Sequence, residues 1–401
     1  MNKKYFPAAF ILYLNYFIHG VGCSILGQSV IKEALAASWG VEVMSITAIS
    51  AALGLGRLIA LPFAGPLSDK LGRRISVVIG GLSYAIYLFG LAFAFNAGAN
   101  GGYQIAYICA IVGGIANSFL DTGIYPAVAE VISDAPGVAT MGIKFFIAIS
   151  QMLLPFFLGM AVATTAAGMT SYNNLFYVCG AAYLILVVLI FILPLPDSDA
   201  SKGEKKEGLI ESLKHTNFSI ESIAMILIGF TCTGTFQLWL NCAQNYAKTN
   251  VGWENPSIMQ TYYSMGTLIA LVVTSILTRK IKDVRFILVY PLICLATLIG
   301  VLLCPTQAVC AAAAFIIGWA GAGGLLQIAT SVCNMLFPKI KGTVTALVMI
   351  ASSLCNYTIL TAASKMTPSG VMIMNIVLTG IGVLLGLFVN LRYAKMLEAN
   401  K

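Results

Sequence analysis

Charge is scarce in this chain. Only 9% of its 401 residues are Asp, Glu, Lys or Arg, whereas 59% are hydrophobic. A soluble domain carries about 25% charged residues, so water cannot be the solvent for most of these side chains. Histidine is scarcer still: there are two, His19 and His215. The ten cysteines contain no Cys-x-x-Cys pair. That spacing argues against zinc sites and a disulfide framework, and scattered cysteines inside apolar runs read as buried thiols. No nucleotide loop, metal cluster or nucleophile triad occurs, which argues against an enzyme and against any cofactor or bound metal. The net charge of +8 reflects orientation in a bilayer rather than a nucleic-acid partner.

What the chain has is long apolar runs. A spanning helix needs ~20 mainly apolar residues. The intervals between charges accommodate twelve such spans. Lys4 to Lys32 holds the first, and Glu42 to Asp69, interrupted by Arg57, the second. Arg74 to Asp121 holds the third and most of the fourth, around a turn at 96–102. Lys144 to Asp197 holds most of the fifth and all of the sixth. Glu221 to Lys248 and Glu254 to Arg279 hold the seventh and eighth. Arg285 to Lys339 holds the ninth and tenth. Lys341 to Lys365 and Lys365 to Arg392 hold the last two. With the N-terminus inside, only Lys32, Lys248 and Lys365 fall in outer loops, and Arg57 and Lys144 remain within spans. Every other Lys and Arg is cytoplasmic. This bias places both termini in the cytoplasm. The first apolar run is too long for a signal peptide, so it reads as an uncleaved helix.

A polar stretch at 197–217 divides the chain. The expected organisation is a six-helix bundle over 1–196, a cytoplasmic linker over 197–217 with a short surface helix near its end, and a second six-helix bundle over 218–401. The halves echo one another. Gly56, Leu58, Ile59, Ala60 and Leu61 recur as Gly266, Leu268, Ile269, Ala270 and Leu271, and Gly137-Val-Ala-Thr140 recurs as Gly342-Thr-Val-Thr345. Two echoes at similar offsets indicate an internal duplication.

Ionisable side chains inside spans persist where they face a cavity or pair with one another. Arg57 lies roughly 18 Å from the following loop at helical rise. It reads either as an anion- or hydroxyl-binding group or as a structural partner of Asp121. Asp121 shares a helical face with Asn117 and Tyr125. It reads as a proton-coupling carboxylate or as a permanently ionised partner of Lys144 or Arg57. Lys144 stands at similar depth, with Gln151 two turns further on its face. His19, beside Asn15 and Tyr16, suits a proton relay or a neutral hydrogen-bonded place in the bundle. In the seventh span Gln237, Asn241 and Gln244 form a polar stripe at helical spacing. Trp239, Tyr262 and Tyr263 are candidates for stacking on a ring or for interfacial anchoring. Gln327 follows a glycine cluster at 318–324, where packing or bending is expected.

Residues Gly65, Leu67, Asp69, Gly72, Arg73 and Arg74 stand at the offsets of a known loop. They resemble the signature between helices 2 and 3 of major facilitator superfamily transporters. The resemblance implies an all-α membrane protein of twelve transmembrane helices in two pseudo-symmetric six-helix bundles, with the substrate site near the midplane. It also implies that the loop latches the transporter's conformation. In the second half the signature has decayed: Arg279 stands for Asp69, and Asp283 for Arg73. More narrowly, Leu14-Asn15-Tyr16-x-x-His19-Gly20, Gly56-Arg57-Leu58, the run from Asn117 to Pro126, and Gly323-Gly324-x-x-Gln327-Ile328 resemble a group of bacterial inner-membrane permeases. Small organic acids such as quinate- or shikimate-like compounds are the expectation for that group. The acid in helix 4 is also similar to fucose-permease-type symporters. The resulting reading is a multi-pass protein of the bacterial inner membrane, its partners lipid and a small solute, driven by the proton gradient and working as a monomer. Proton-coupled uptake of an organic anion is expected. Sugar–proton symport and drug efflux are the alternatives. The substrate residues would be Arg57, His19, Asn15, Asn117, Gln151, Gln237, Asn241 and Gln327, with Asp121 and Lys144 coupling the proton.

Overall fold

A computed structural model describes residues 3–163, 170–195, 220–278, 280–336 and 341–399. The expected linker at 197–217, with its short helix and His215, lies outside the described residues, as does Arg279. The described residues contain twelve helices long and apolar enough to cross a membrane. In hydrocarbon each backbone N–H and C=O must find a partner within its own segment, and the helix provides this.

The chain divides into two compact units, Met1–Lys206 and Glu207–Lys401. In the first, helices α1 (Phe6–Ser24), α2 (Ser29–Trp39), α3 (Thr47–Leu71), α4 (Arg73–Ala97), α5 (Gly102–Val131), α6 (Pro136–Ala163) and α7 (Thr170–Ile192) surround one apolar core. In the second, α8 (Ile220–Val251), α9 (Ile258–Leu277), α10 (Asp283–Leu303), α11 (Gln307–Ile316), α12 (Leu325–Leu336), α13 (Lys341–Ala363) and α14 (Pro368–Ala399) surround another.

Glycine sets the closest approaches. A Cβ on Gly56 would stand 1.9 Å from the Ile111 carbonyl oxygen, and one on Gly114 2.1 Å from that of Leu53. Only glycine lets α3 and α5 meet backbone to backbone in this way. Gly72 has φ 90°, and its N–H closes α3 on the Ser68 carbonyl at 2.9 Å. That left-handed residue allows α4 to begin at once.

One expectation needs correction. Lys32 does not lie in an open outer loop. The chain folds back after α1, and α2 carries Lys32 to 0% exposure, where its Nζ donates to Thr47 Oγ1 at 2.7 Å. Charge alone places a lysine near water, but here a hydroxyl at the start of α3 meets the ammonium. The tenth span bends at its glycine cluster, as expected. It passes into a π-helical turn at Ile317–Ala322, bends at Gly323 and Gly324, and resumes as α12. None of the ten cysteines forms a disulfide; seven are buried, Cys23 and Cys109 are half-buried, and Cys304 is exposed.

Candidate functional site

The most concentrated polar chemistry inside a span lies in the first unit, around Asp121. Ser118 on α5 donates to the Arg57 carbonyl at 3.1 Å. Together with the Gly56–Gly114 approach, this fixes Arg57 against α5 one turn from Asp121. Arg57 Nη2 then reaches Asp121 Oδ2 at 2.7 Å. The other carboxylate oxygen accepts from the Tyr16 hydroxyl. Tyr16 is 2% exposed and lies edge-on to Tyr125, with ring centroids 5.8 Å apart. The pair itself is not sealed: the Arg57 and Asp121 side chains are 30% and 28% exposed. An ion pair with exposed surface inside a span is a place where water or a proton can act on the charges.

Lys144 on α6 is within electrostatic reach of both Asp121 and Arg57. Of the two candidate partners of Asp121, Lys144 forms no ion pair with it among the described residues. Arg57 holds the carboxylate instead, because the glycine contact brings α3 closer to α5 than α6 comes. One carboxylate therefore serves two cationic side chains. His19 lies with its ring 5.3 Å from that of Tyr16 and 5.2 Å from that of Tyr84. Asn117 stands one turn from Asp121 on the same face of α5.

Other candidate residues have different surroundings. Asn15 is 1% exposed, and its amide donates to the Ile11 carbonyl of its own helix at 2.8 Å. Gln151 is buried and donates to Ser24 Oγ at 2.7 Å, tying α6 to α1. These contacts place both residues in helix packing rather than on an open surface. In the second unit the Asn241 amide donates to the Gln237 carbonyl at 2.9 Å and to Gln237 Oε1 at 3.1 Å, so two residues of the polar stripe bond to each other. Gln327 is exposed on α12. Trp239 and Tyr263 are buried, whereas Tyr262 is exposed.

The glycine-rich loop carries its own charge cluster. Arg73 reaches Asp69 at 2.7 Å and Ser68 Oγ at 3.2 Å, and its Nε lies 3.6 Å from Glu130. The last contact is an ion pair without a hydrogen bond. Arg74 donates to the carbonyls of Phe191 at 3.1 Å and Leu193 at 2.9 Å, capping the end of α7. Gly65 has nothing within reach of an added Cβ. Sequence reasoning missed Tyr16 as a ligand of Asp121 and Glu130 as a partner of Arg73. Both contacts join residues far apart in sequence, so no local spacing announces them.

A family model described as Major Facilitator Superfamily matches residues 11–356. The chain is 32% identical to the uncharacterized MFS-type transporter YfkL of Bacillus subtilis, covering 97% of each protein. It is 30% identical to the inner membrane transport protein YdiM of Escherichia coli, covering 98% of this chain and 96% of that one. Among solved structures it is similar to the inward-open xylose transporter XylE from E. coli, with a TM-score of 0.76. The identity there is 18%, over 96% of this chain and 95% of that one.

Proposed function

The chain belongs to the major facilitator superfamily, a family of membrane transporters and not enzymes, and from that premise we propose proton-coupled uptake of a small organic anion. The observation that carries this reading is the exposed Arg57–Asp121 pair with Lys144 beside it. A surplus of cationic side chains over carboxylates suits a negatively charged solute. In the proposed cycle, protonation of Asp121 neutralises its hold on Arg57, and the guanidinium turns to the carboxylate of the solute. Loss of the proton on the other side restores the pair and expels the anion. Tyr16 keeps the Asp121 carboxyl in place throughout, and Lys144 biases the site toward anions.

The protein alternates access by a rocking motion, with Asp69, Gly72, Arg73, Arg74 and Glu130 latching one conformation. Both termini face the cytoplasm, the protein works as a monomer, and the proton gradient is its sole energy source. Quinate- or shikimate-like acids, or other small carboxylates, are the proposed solutes.

One titrating carboxylate carries one proton per cycle. Uptake of a monoanion is then electroneutral, and one pH unit, about 1.4 kcal/mol, supports about tenfold accumulation. Purified protein in liposomes tests this. Accumulation of a monocarboxylate under an inward acid gradient, unaffected by membrane potential, is the expected result. Export of apolar cations without any carboxylate uptake contradicts it and favours a drug exporter.

A further inference from the structure

The signature loop of the first unit has its counterpart in the second at residues 279–285, where the sequence reads Arg279-Lys-Ile-Lys-Asp-Val-Arg285. Four cations stand there to one acid. The two turns use their charges differently. In the first, Arg73 is held by Asp69 and Glu130, and Arg74 donates to the carbonyls of Phe191 and Leu193. In the second, the acid is engaged elsewhere: Asp283 accepts from Ser331 Oγ of α12 at 3.3 Å. Lys280, Lys282 and Arg285 are exposed, and none of them forms an ion pair among the described residues.

These cations stand at the end of an apolar surface. Arg285 lies in the first turn of α10 and shares one helical face with Val289, Leu292 and Ile299, all three exposed. Asn390 of α14 donates to the Val284 carbonyl at 2.8 Å, and a Cβ on Gly386 would stand 2.5 Å from the Ile287 carbonyl oxygen. α14 is therefore packed along α10, and its exposed Ile381, Leu384 and Leu391 widen the apolar surface. Exposed aliphatic side chains on spanning helices match lipid tails, which are as apolar as leucine. A cation in the first turn of a helix opposes the helix dipole, so helix stability does not account for Arg285. Its methylenes can lie on the apolar face while the guanidinium reaches the headgroup layer.

We propose that this end of α10 binds an anionic phospholipid. Lys280, Lys282 and Arg285 take the phosphate of the headgroup, and the acyl chains lie along α10 and α14. Exposed cations beside a spanning helix favour anionic lipid. A zwitterionic headgroup carries an ammonium of its own, which the three cations repel. A free phosphate would satisfy the cations but leave the apolar surface without a part. The inference is independent of the anion-uptake reading above, since it uses no residue of the Arg57–Asp121 site.

Native mass spectrometry of the delipidated protein tests this. The protein in detergent is offered an equimolar mixture of phosphatidylglycerol and phosphatidylcholine with the same acyl chains. Phosphatidylglycerol is expected to be bound at least about fivefold more, the factor that one cation near an anionic headgroup supplies. Lys280→Gln, Lys282→Gln and Arg285→Gln are each expected to lower this preference, and the triple variant to abolish it. Arg285→Lys, which keeps the charge, is expected to preserve most of it. Lys70→Gln removes the exposed lysine at the corresponding place in the first unit and is expected to leave the preference unchanged. Glycerol phosphate, which has the phosphate without the chains, is expected not to displace the lipid at millimolar concentration. Equal binding of the two lipids, or a preference that survives in the triple variant, overturns the proposal. A loss in Lys70→Gln as large as in Arg285→Gln also overturns it, because any exposed cation would then serve. Displacement by glycerol phosphate overturns the part given to the α10 and α14 surface.

Discussion

In the first unit Gly56 and Gly114 bring α3 and α5 together backbone to backbone; in the second, Gly266 and Gly318 do the same for α9 and the π-helical turn. A Cβ on Gly266 would stand 2.1 Å from the Phe315 carbonyl oxygen, and one on Gly318 2.0 Å from that of Tyr263. The packing is shared, but what stands beside it is not. After Gly56 comes Arg57, paired with Asp121. After Gly266 comes Thr267, whose hydroxyl donates to the Tyr263 and Gly318 carbonyls at 3.1 and 3.2 Å. The helix that carries Asp121 runs unbroken over Gly102–Val131, whereas its counterpart becomes π-helical at Ile317–Ala322. The two units thus share a close glycine contact, with charge beside it in one and a local irregularity, a common mark of functional regions, in the other.

The sharpest way to break this contrast is to exchange the weight of the two positions. Arg57→Ala leaves Asp121 without its cation, and uptake is expected to fall by more than about 30-fold, the lower end for truncating a hydrogen-bonded charge pair. Thr267→Ala is expected to change uptake by no more than about twofold. Comparable losses in both would mean that the charge does not distinguish the units. The shared frame is probed by Gly114→Val and Gly318→Val. Each forces a side chain into a carbonyl, and each is expected to cost up to about 3 kcal/mol in detergent unfolding measurements. A tolerated Gly318→Val would show that the π turn yields where α5 does not.

Smaller effects separate the connecting segments. Thr47→Val removes an acceptor from the buried Lys32 ammonium and is expected to cost about 2 kcal/mol. The second unit instead ties the start of α8 to α14 through Glu221 and Arg392 at 2.5 Å, with 19% and 44% exposure. Such a pair is screened, so Arg392→Ala is expected to cost under about 1 kcal/mol. Differential scanning fluorimetry of the purified variants ranks the two. A larger loss at Arg392 would reverse the order.

The twelve spans were legible because hydropathy and the intervals between charges report directly on the solvent around each segment. Arg57 and Asp121 were legible as a pair for the same reason: charge inside a span demands an explanation. The rest depended on tertiary distance. Similar depth made Lys144 a candidate partner of Asp121, but the glycine contact decided for Arg57, and spacing along one helix carries no information about such a choice. Lys32 read as a loop residue because it is the first charge after a long apolar run, while α2 buries it with its ammonium on Thr47. The glycines at 318–324 signalled a bend without specifying a π turn, which is a property of backbone register.

The proton-carrying role of Asp121 is tested most directly by Asp121→Asn in liposomes, which fixes a neutral side chain of the same shape beside Arg57. The expected result is that carboxylate exchange across the membrane continues at equal pH, while accumulation under an inward acid gradient disappears. Acid-driven accumulation at the unsubstituted level in Asp121→Asn would mean that the proton travels elsewhere.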